Sequence, residues 1–178
     1  MSASENTVLK KDIVEALKNI GIRKGDLLAL HSSLKSLGRV EGGAETVIKA
    51  FQEVLTPEGT VMMPTHTYSL PVWDKPPYNK NKTPSLVGKI TEVFRGMPGV
   101  KRSEHPTHSV AVWGRLADEL TLDALEYPPV GKGSPWDRFY RKNGRILMLG
   151  TDQGTNTTLH LCEVLAESPY LDVAFSPG

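Results

Sequence analysis

Short, nearly unbroken apolar runs, separated by segments of helical period, constrain this chain more than any other feature. The runs are the front of LLALHSS (27–33), TVMMP (60–64), SVAVWG (109–114) and RILMLG (145–150). Strands buried on both faces read this way, because neither side needs a polar residue. Between the runs the spacing changes. Ile13, Val14, Leu17 and Ile20 recur at helical period within residues 9–20, and Gly21 follows as a helix C-cap. Val47, Ile48, Phe51, Val54 and Leu55 make one side of a second helix over 44–55, which Pro57 and Gly59 end. Strand, helix and strand in that order predict a parallel crossover, hence an α/β chain.

The same reading places a helix at 85–96, closed by Gly96 and Pro98, and a short one in RLADEL (115–120). Pro135 opens another that ends at Asn143 and Gly144. RILMLG reads as the clearest buried strand after the first. A last helix spans 156–167, with Leu159, Cys162, Val164 and Leu165 as its apolar residues. Residues 65–84, rich in Pro, Asn, Lys and aromatics, have no period and read as a long surface loop, a kind of segment that often carries function.

The 178 residues suffice for one domain with a proper core. The balance of 21 basic against 20 acidic residues argues against nucleic acid as a partner. No apolar run has the length of a membrane span, and the N-terminus has no signal-like apolar core. Cys162 is the one cysteine, so neither a disulfide framework nor a cysteine-rich zinc site is expected. These features fit a cytoplasmic enzyme.

Ligands of open α/β sheets sit off the carboxyl ends of the strands. Three polar strand ends fall there: His31-Ser32-Ser33, Pro64-Thr65-His66 and Gly150-Thr151-Asp152. The turn after the first strand offers hydroxyls and backbone N–H groups to an anion, with Lys35 adding charge. In RSEHPTHSVAVWG (102–114), Pro106 holds an extended backbone and Arg102 is a candidate phosphate donor. His108 reads as an ordinary loop histidine. In GTDQGTNTTLHLCEV (150–164), Asn156 or Thr157 caps a helix on which His160 and Glu163, three apart, share a face. A positioned imidazole suits proton transfer at neutral pH. The five histidines show no HExxH or HxH spacing, so no metal is expected.

In chain order, HSSLKSLG, GGAETVIKAF, GTVMMPT, RSEHP, SVAVWG, GKGSPW and NTTLHLCE make the sequence resemble the aminoglycoside 3-N-acetyltransferase family, from about residue 8 to residue 170. The resemblance implies a three-layer α/β/α sandwich with a mostly parallel or mixed sheet. It implies acetyl-CoA as cosubstrate and an aminocyclitol amine as acceptor. The family's T-x-x-H-x-x-E pattern falls on Thr157, His160 and Glu163, which makes His160 the implied general base. The turn His31, Ser32, Ser33, Leu34 is implied to meet the pyrophosphate and pantetheine arm. His105 and its neighbours are implied to flank the thioester, and the Ser109 and Val110 backbone to bond pantetheine. Thr65, His66, Asn156 and Thr157 are the candidate contacts to the amine.

Two departures from the family accompany this. Many members carry an Asp six residues before the histidine, where this chain has Gly154, and Asp152 or Glu163 is the candidate acid to orient His160. Members also continue beyond the point matching residue 178, adding strands, much of the antibiotic wall and an acid thought to orient the histidine. The chain is thus expected to be a single domain, 1–178, lacking the family's C-terminal part. A polycationic acceptor calls for acid, and the candidates are Asp74, Glu104, Asp118, Glu119, Asp123 and Glu126. Transfer to another amine, an inactive CoA-binding module and a histidine metal hydrolase are the rival readings. Beyond CoA and the amine, a second copy of the chain is the candidate partner.

Overall fold

A computed structural model describes residues 7–67, 78–122 and 129–169. Asp74, Asp123 and Glu126 lie outside them, as does half of the 65–84 loop. The chain runs through α1 (Lys10–Asn19), β1 (Leu27–Ser32), α2 (Gly43–Leu55), β2 (Thr60–Pro64), α3 (Lys89–Arg95), β3 (Lys101–Arg102) and β4 (Val110–Gly114). It continues with α4 (Ala117–Thr121), α5 (Pro135–Arg141), β5 (Arg145–Leu149) and α6 (Thr158–Leu165). The five strands form one sheet in the order β3-β4-β2-β1-β5. β1 pairs in parallel with β2 and β5, as the predicted crossover requires, and β4 runs antiparallel to β2 and β3. The sheet is therefore mixed.

Alternation along the strands divides the apolar residues between two faces. Leu28, Leu30, Val61, Met63 and Ala111 pack under α1, α2 and α3. Ala29, Met62, Val110 and Val112 pack on the other side against Leu120 of α4, Trp136 and Phe139 of α5 and Leu161 of α6. The result is the three-layer sandwich. Helix starts obey local chemistry. The Asp12 carboxylate accepts the Leu9 N–H at 2.8 Å at the head of α1. Ser134 Oγ caps α5 ahead of Pro135, whose missing N–H costs nothing in the first turn.

Three expectations need correction. β5 is not buried on both faces. It stands at the sheet edge, with Arg145 and Ile146 exposed and Leu147 and Leu149 half-buried against the first core. Apolarity reports a strand but not its position in the sheet. The helix expected from residue 85 starts at Lys89, because Ser85 folds back instead. Its N–H donates to Glu92 Oε2 at 2.6 Å and its hydroxyl meets Thr91 Oγ1 at 3.1 Å. α6 is shorter than expected and buries Leu161, leaving Leu159, Cys162 and Leu165 exposed. No helix of the described residues is long and apolar enough to cross a membrane.

Gly114 closes β4 at φ +107, where a Cβ would overlap the Gly59 carbonyl at the start of β2. Gly114→Ala is expected to destabilise the fold by about 2 kcal/mol or more, read as a lower urea midpoint with an unchanged slope.

Candidate active site

A cleft of about 510 Å³ opens at the carboxyl ends of the parallel strands β1 and β2. His31 and Ser32 border it from β1, and Pro64 and His66 from β2. His108 enters from the segment leading into β4. Leu86 and Val87 come from the loop before α3, and Thr91 from α3 itself. The facing wall is the turn Gly154, Thr155, Asn156, Thr157, continued by His160 on α6. The Asn156 Oδ1 accepts the Thr158 N–H at 3.1 Å and fixes where that helix begins.

His160 and Glu163 meet as their spacing predicts, with Nδ1 2.8 Å from Glu163 Oε2. The ring is half-exposed on the cleft wall. A carboxylate at Nδ1 favours the tautomer with its proton there, which leaves Nε2 with a basic lone pair. The opposite imidazoles differ in kind. Burial pushes His31 and His108 down to about 4. His66 falls to about 3, first through burial and then through repulsion from the neighbouring imidazoles. The His66 and His108 rings meet at a tilt, 4.8 Å between centres, and His31 lies on Trp136 at 5.7 Å, nearly parallel. At neutral pH the cleft therefore holds uncharged imidazoles, which accept or donate hydrogen bonds without repelling a cation.

The sequence model of the aminoglycoside 3-N-acetyltransferases matches residues 29–175. The chain belongs to this family. It is 39% identical over 175 residues to the SPbeta prophage-derived aminoglycoside N(3')-acetyltransferase-like protein YokD of Bacillus subtilis, covering 86% of this chain and 64% of that one. The AAC(3)-IVa apoenzyme structure superposes with a TM-score of 0.86 at 33% identity, covering 94% of this chain and 64% of that one. The same enzyme has been solved as a His-to-Ala mutant in complex with a gentamicin. AAC-IIIb in a binary complex with CoASH gives a TM-score of 0.81 at 27% identity, with 89% and 65% covered. The chain spans less than two thirds of the length of the curated relatives it matches.

Of the residues expected at the site of this acetyltransferase-family chain, the cleft collects His31, Ser32, His66, Asn156, Thr157 and His160. Others are engaged elsewhere. Arg102 is buried rather than placed to meet a phosphate. Its Nε donates to Thr65 Oγ1 and Ser109 Oγ at 3.1 Å, Nη1 to the Lys80 and Thr83 carbonyls, and Nη2 to the Thr65 carbonyl at 2.7 Å. That arrangement also encloses Thr65, and the Tyr78 ring covers the guanidinium at 5.2 Å. Arg102 thus clamps the 78–83 loop to the β2 end. Arg102→Met is expected to cost about 3 kcal/mol, since it orphans several buried acceptors; a denaturant melt checks this.

Three of the four Ser109 and Val110 backbone groups are also occupied. The Ser109 carbonyl accepts the Thr65 N–H, while the Val110 N–H donates to Ser103 Oγ and its carbonyl accepts the Ser103 N–H. His105 Nδ1 accepts the Thr107 and His108 N–H groups, making it a turn organiser outside the cleft lining. Ser33 bonds Ser36, Leu34 packs on the first core, and Lys35 opens an exposed 3-10 turn, so none of the three borders the cleft. Asp152 does not reach His160. Its Oδ1 accepts the Gly154 N–H at 2.9 Å in its own turn. Glu104, Asp118 and Glu119 pair with Lys80, Lys101 and Lys142 away from the cleft. Among the described residues no group of three or more His, Cys, Asp or Glu side chains is arranged to hold a metal ion.

Sequence reasoning missed His108, although a signal existed. Residues 108, 110 and 112 share parity, and Val110 and Val112 face the second core. The same count along β1 and β2 runs from Ala29 to His31 and from Met62 to His66. All three rows end in an imidazole on one side of the sheet.

Proposed function

We propose that this chain carries the centre of acetyl transfer from acetyl-CoA to the 3-amino group of an aminoglycoside, with His160 as general base. One observation carries the reading: an imidazole tethered to a carboxylate at 2.8 Å, on the wall of a cleft that begins at the serine end of β1. The relatives support the ligand classes, since AAC-IIIb was solved with CoASH and AAC(3)-IVa with a gentamicin.

An amine attacks only through a free lone pair, so an ammonium must first lose a proton. Nε2 of His160 takes it, and Glu163 stabilises the resulting imidazolium, as in a generalised triad. The nitrogen then adds to the thioester carbon, the carbonyl electrons move to oxygen, and collapse of the adduct expels CoA as thiolate, which takes up the second N–H proton and leaves a neutral amide. Asn156, Thr157 and His66 supply uncharged partners for acceptor hydroxyls and amines. Ser32 lies where the pantetheine arm would enter.

The test is thiol release from acetyl-CoA by the 178-residue chain, with a panel of aminoglycosides and simpler amines, and NMR to locate the acetyl group. Acceptor-dependent release with acetylation at N3 is expected. CoA binding without release on any amine would instead make the chain a binding module. A second reading, transfer to a less cationic amine, is favoured by one feature: among the described residues no carboxylate borders the cleft. Turnover confined to the simpler amines would select it.

A further inference from the structure

His31 is a buried side chain whose chemistry the mechanism above leaves unused. It ends β1 at 2% exposure, on the side of the sheet that holds Trp136, and it borders the cleft that His160 also borders. Its Nε2 is enclosed and has no hydrogen-bond partner. A buried polar atom without a partner costs about 1–3 kcal/mol, so one in a side chain that borders a cleft calls for a ligand group or a water. The near-parallel Trp136 ring fixes the imidazole plane. Ser32 Oγ is also without a partner, but strand alternation turns it to the opposite side of the sheet from Trp136.

Resting on the acetyl-transfer reading, we propose that His31 is a further catalytic residue: its uncharged imidazole donates an N–H to the acyl oxygen during attack. In that step the amine lone pair forms the C–N bond and the C=O π pair moves onto oxygen, which His31 meets with its N–H. The C=O bond then re-forms, the C–S bond breaks, and its pair leaves on sulfur. The first proton lost by the acceptor stays on His160 until it passes to solvent, and the second leaves the adduct nitrogen for the thiolate. A donor already in place needs no reorganisation as charge develops, which is why such groups act strongly. Burial keeps His31 uncharged down to about pH 4. It therefore acts as an electrophile and does not compete with His160 for the amine proton.

The experiment uses the whole 178-residue chain. His31→Ala is expected to lower kcat by about 100- to 1,000-fold, with the Kd for CoA changed no more than a few-fold. His31→Gln, which keeps an N–H donor, should recover much of that loss. A second readout is independent of turnover. The His31 ring N–H resonance, assigned by its absence from His31→Gln, should move when the protein binds an acetyl-CoA analogue with CH2 in place of sulfur, and move far less with CoA. If both variants keep the parent kcat, or if the loss follows only a lowered melting temperature and the resonance ignores the ketone, His31 merely packs on Trp136 and the proposal fails. If the parent chain neither turns over nor binds CoA, the acetyl-transfer reading fails, and this role falls with it.

Discussion

His160→Ala is expected to lower acetyl-transfer kcat by about 100- to 10,000-fold while the protein stays folded, because general-base assistance has that range. The two effects separate because of where the ring sits. α6 is anchored by Leu161 and Thr158, which are buried, whereas His160 is half-exposed. Removing it deletes a proton acceptor and no core contact, so the melting temperature should hardly move. Glu163→Gln tests the tether at 2.8 Å. It keeps the size of the side chain but removes the charge that stabilises an imidazolium. A smaller loss than that of His160→Ala is expected, again in kcat. Steady-state kinetics beside a thermal melt reads both. Activity within a few-fold of the parent for His160→Ala would remove the general base from the mechanism.

Features set by local periodicity were mostly legible in the sequence. β1, α2 and β2 lie within a residue of where apolar spacing puts them, and their parallel crossover comes from chain order alone. The His160–Glu163 contact was legible for the same reason, since i and i+3 share a helix face whatever surrounds them. Long-range competition was not legible. Arg102 in RSEHP looks like a phosphate ligand until Thr65, Ser109 and the 80–83 carbonyls are brought around it by the pairing of β2 with β4. Asp152 looks like an orienting acid until its turn gives it the Gly154 N–H. β5 looks central until the strand order is known. In each case the residue type was read correctly, and a partner distant in sequence or set by backbone geometry decided its role.

Thermal stability should fall steeply as pH drops from about 6.5 toward 5, a window governed by the buried imidazoles. His31 and His108 are held at about 4 and His66 at about 3, chiefly by burial, against about 6.5 in an unfolded chain. Above pH 6.5 these groups are neutral in both states and cost nothing. Below it the unfolded chain binds protons that the folded one refuses, so stability is lost as pH falls and the loss levels off only near the folded values. One such histidine is worth on the order of 2–3 kcal/mol by pH 4. Carboxylates titrate lower, so melts between pH 7.5 and 5 isolate the imidazoles. His66→Gln should flatten the slope, and a flat melting temperature across this window in the parent would show that these rings are solvated. The same protons bear on the site, because His31, His66 and His108 border the cleft. Acid that charges them places positive charge where, on the proposed function, a cationic amine enters, so affinity for such an acceptor should weaken along with the fold. The buried imidazoles thus carry an acid-labile cost in stability, and on the proposed function they let the cleft receive an ammonium although no carboxylate among the described residues lines it.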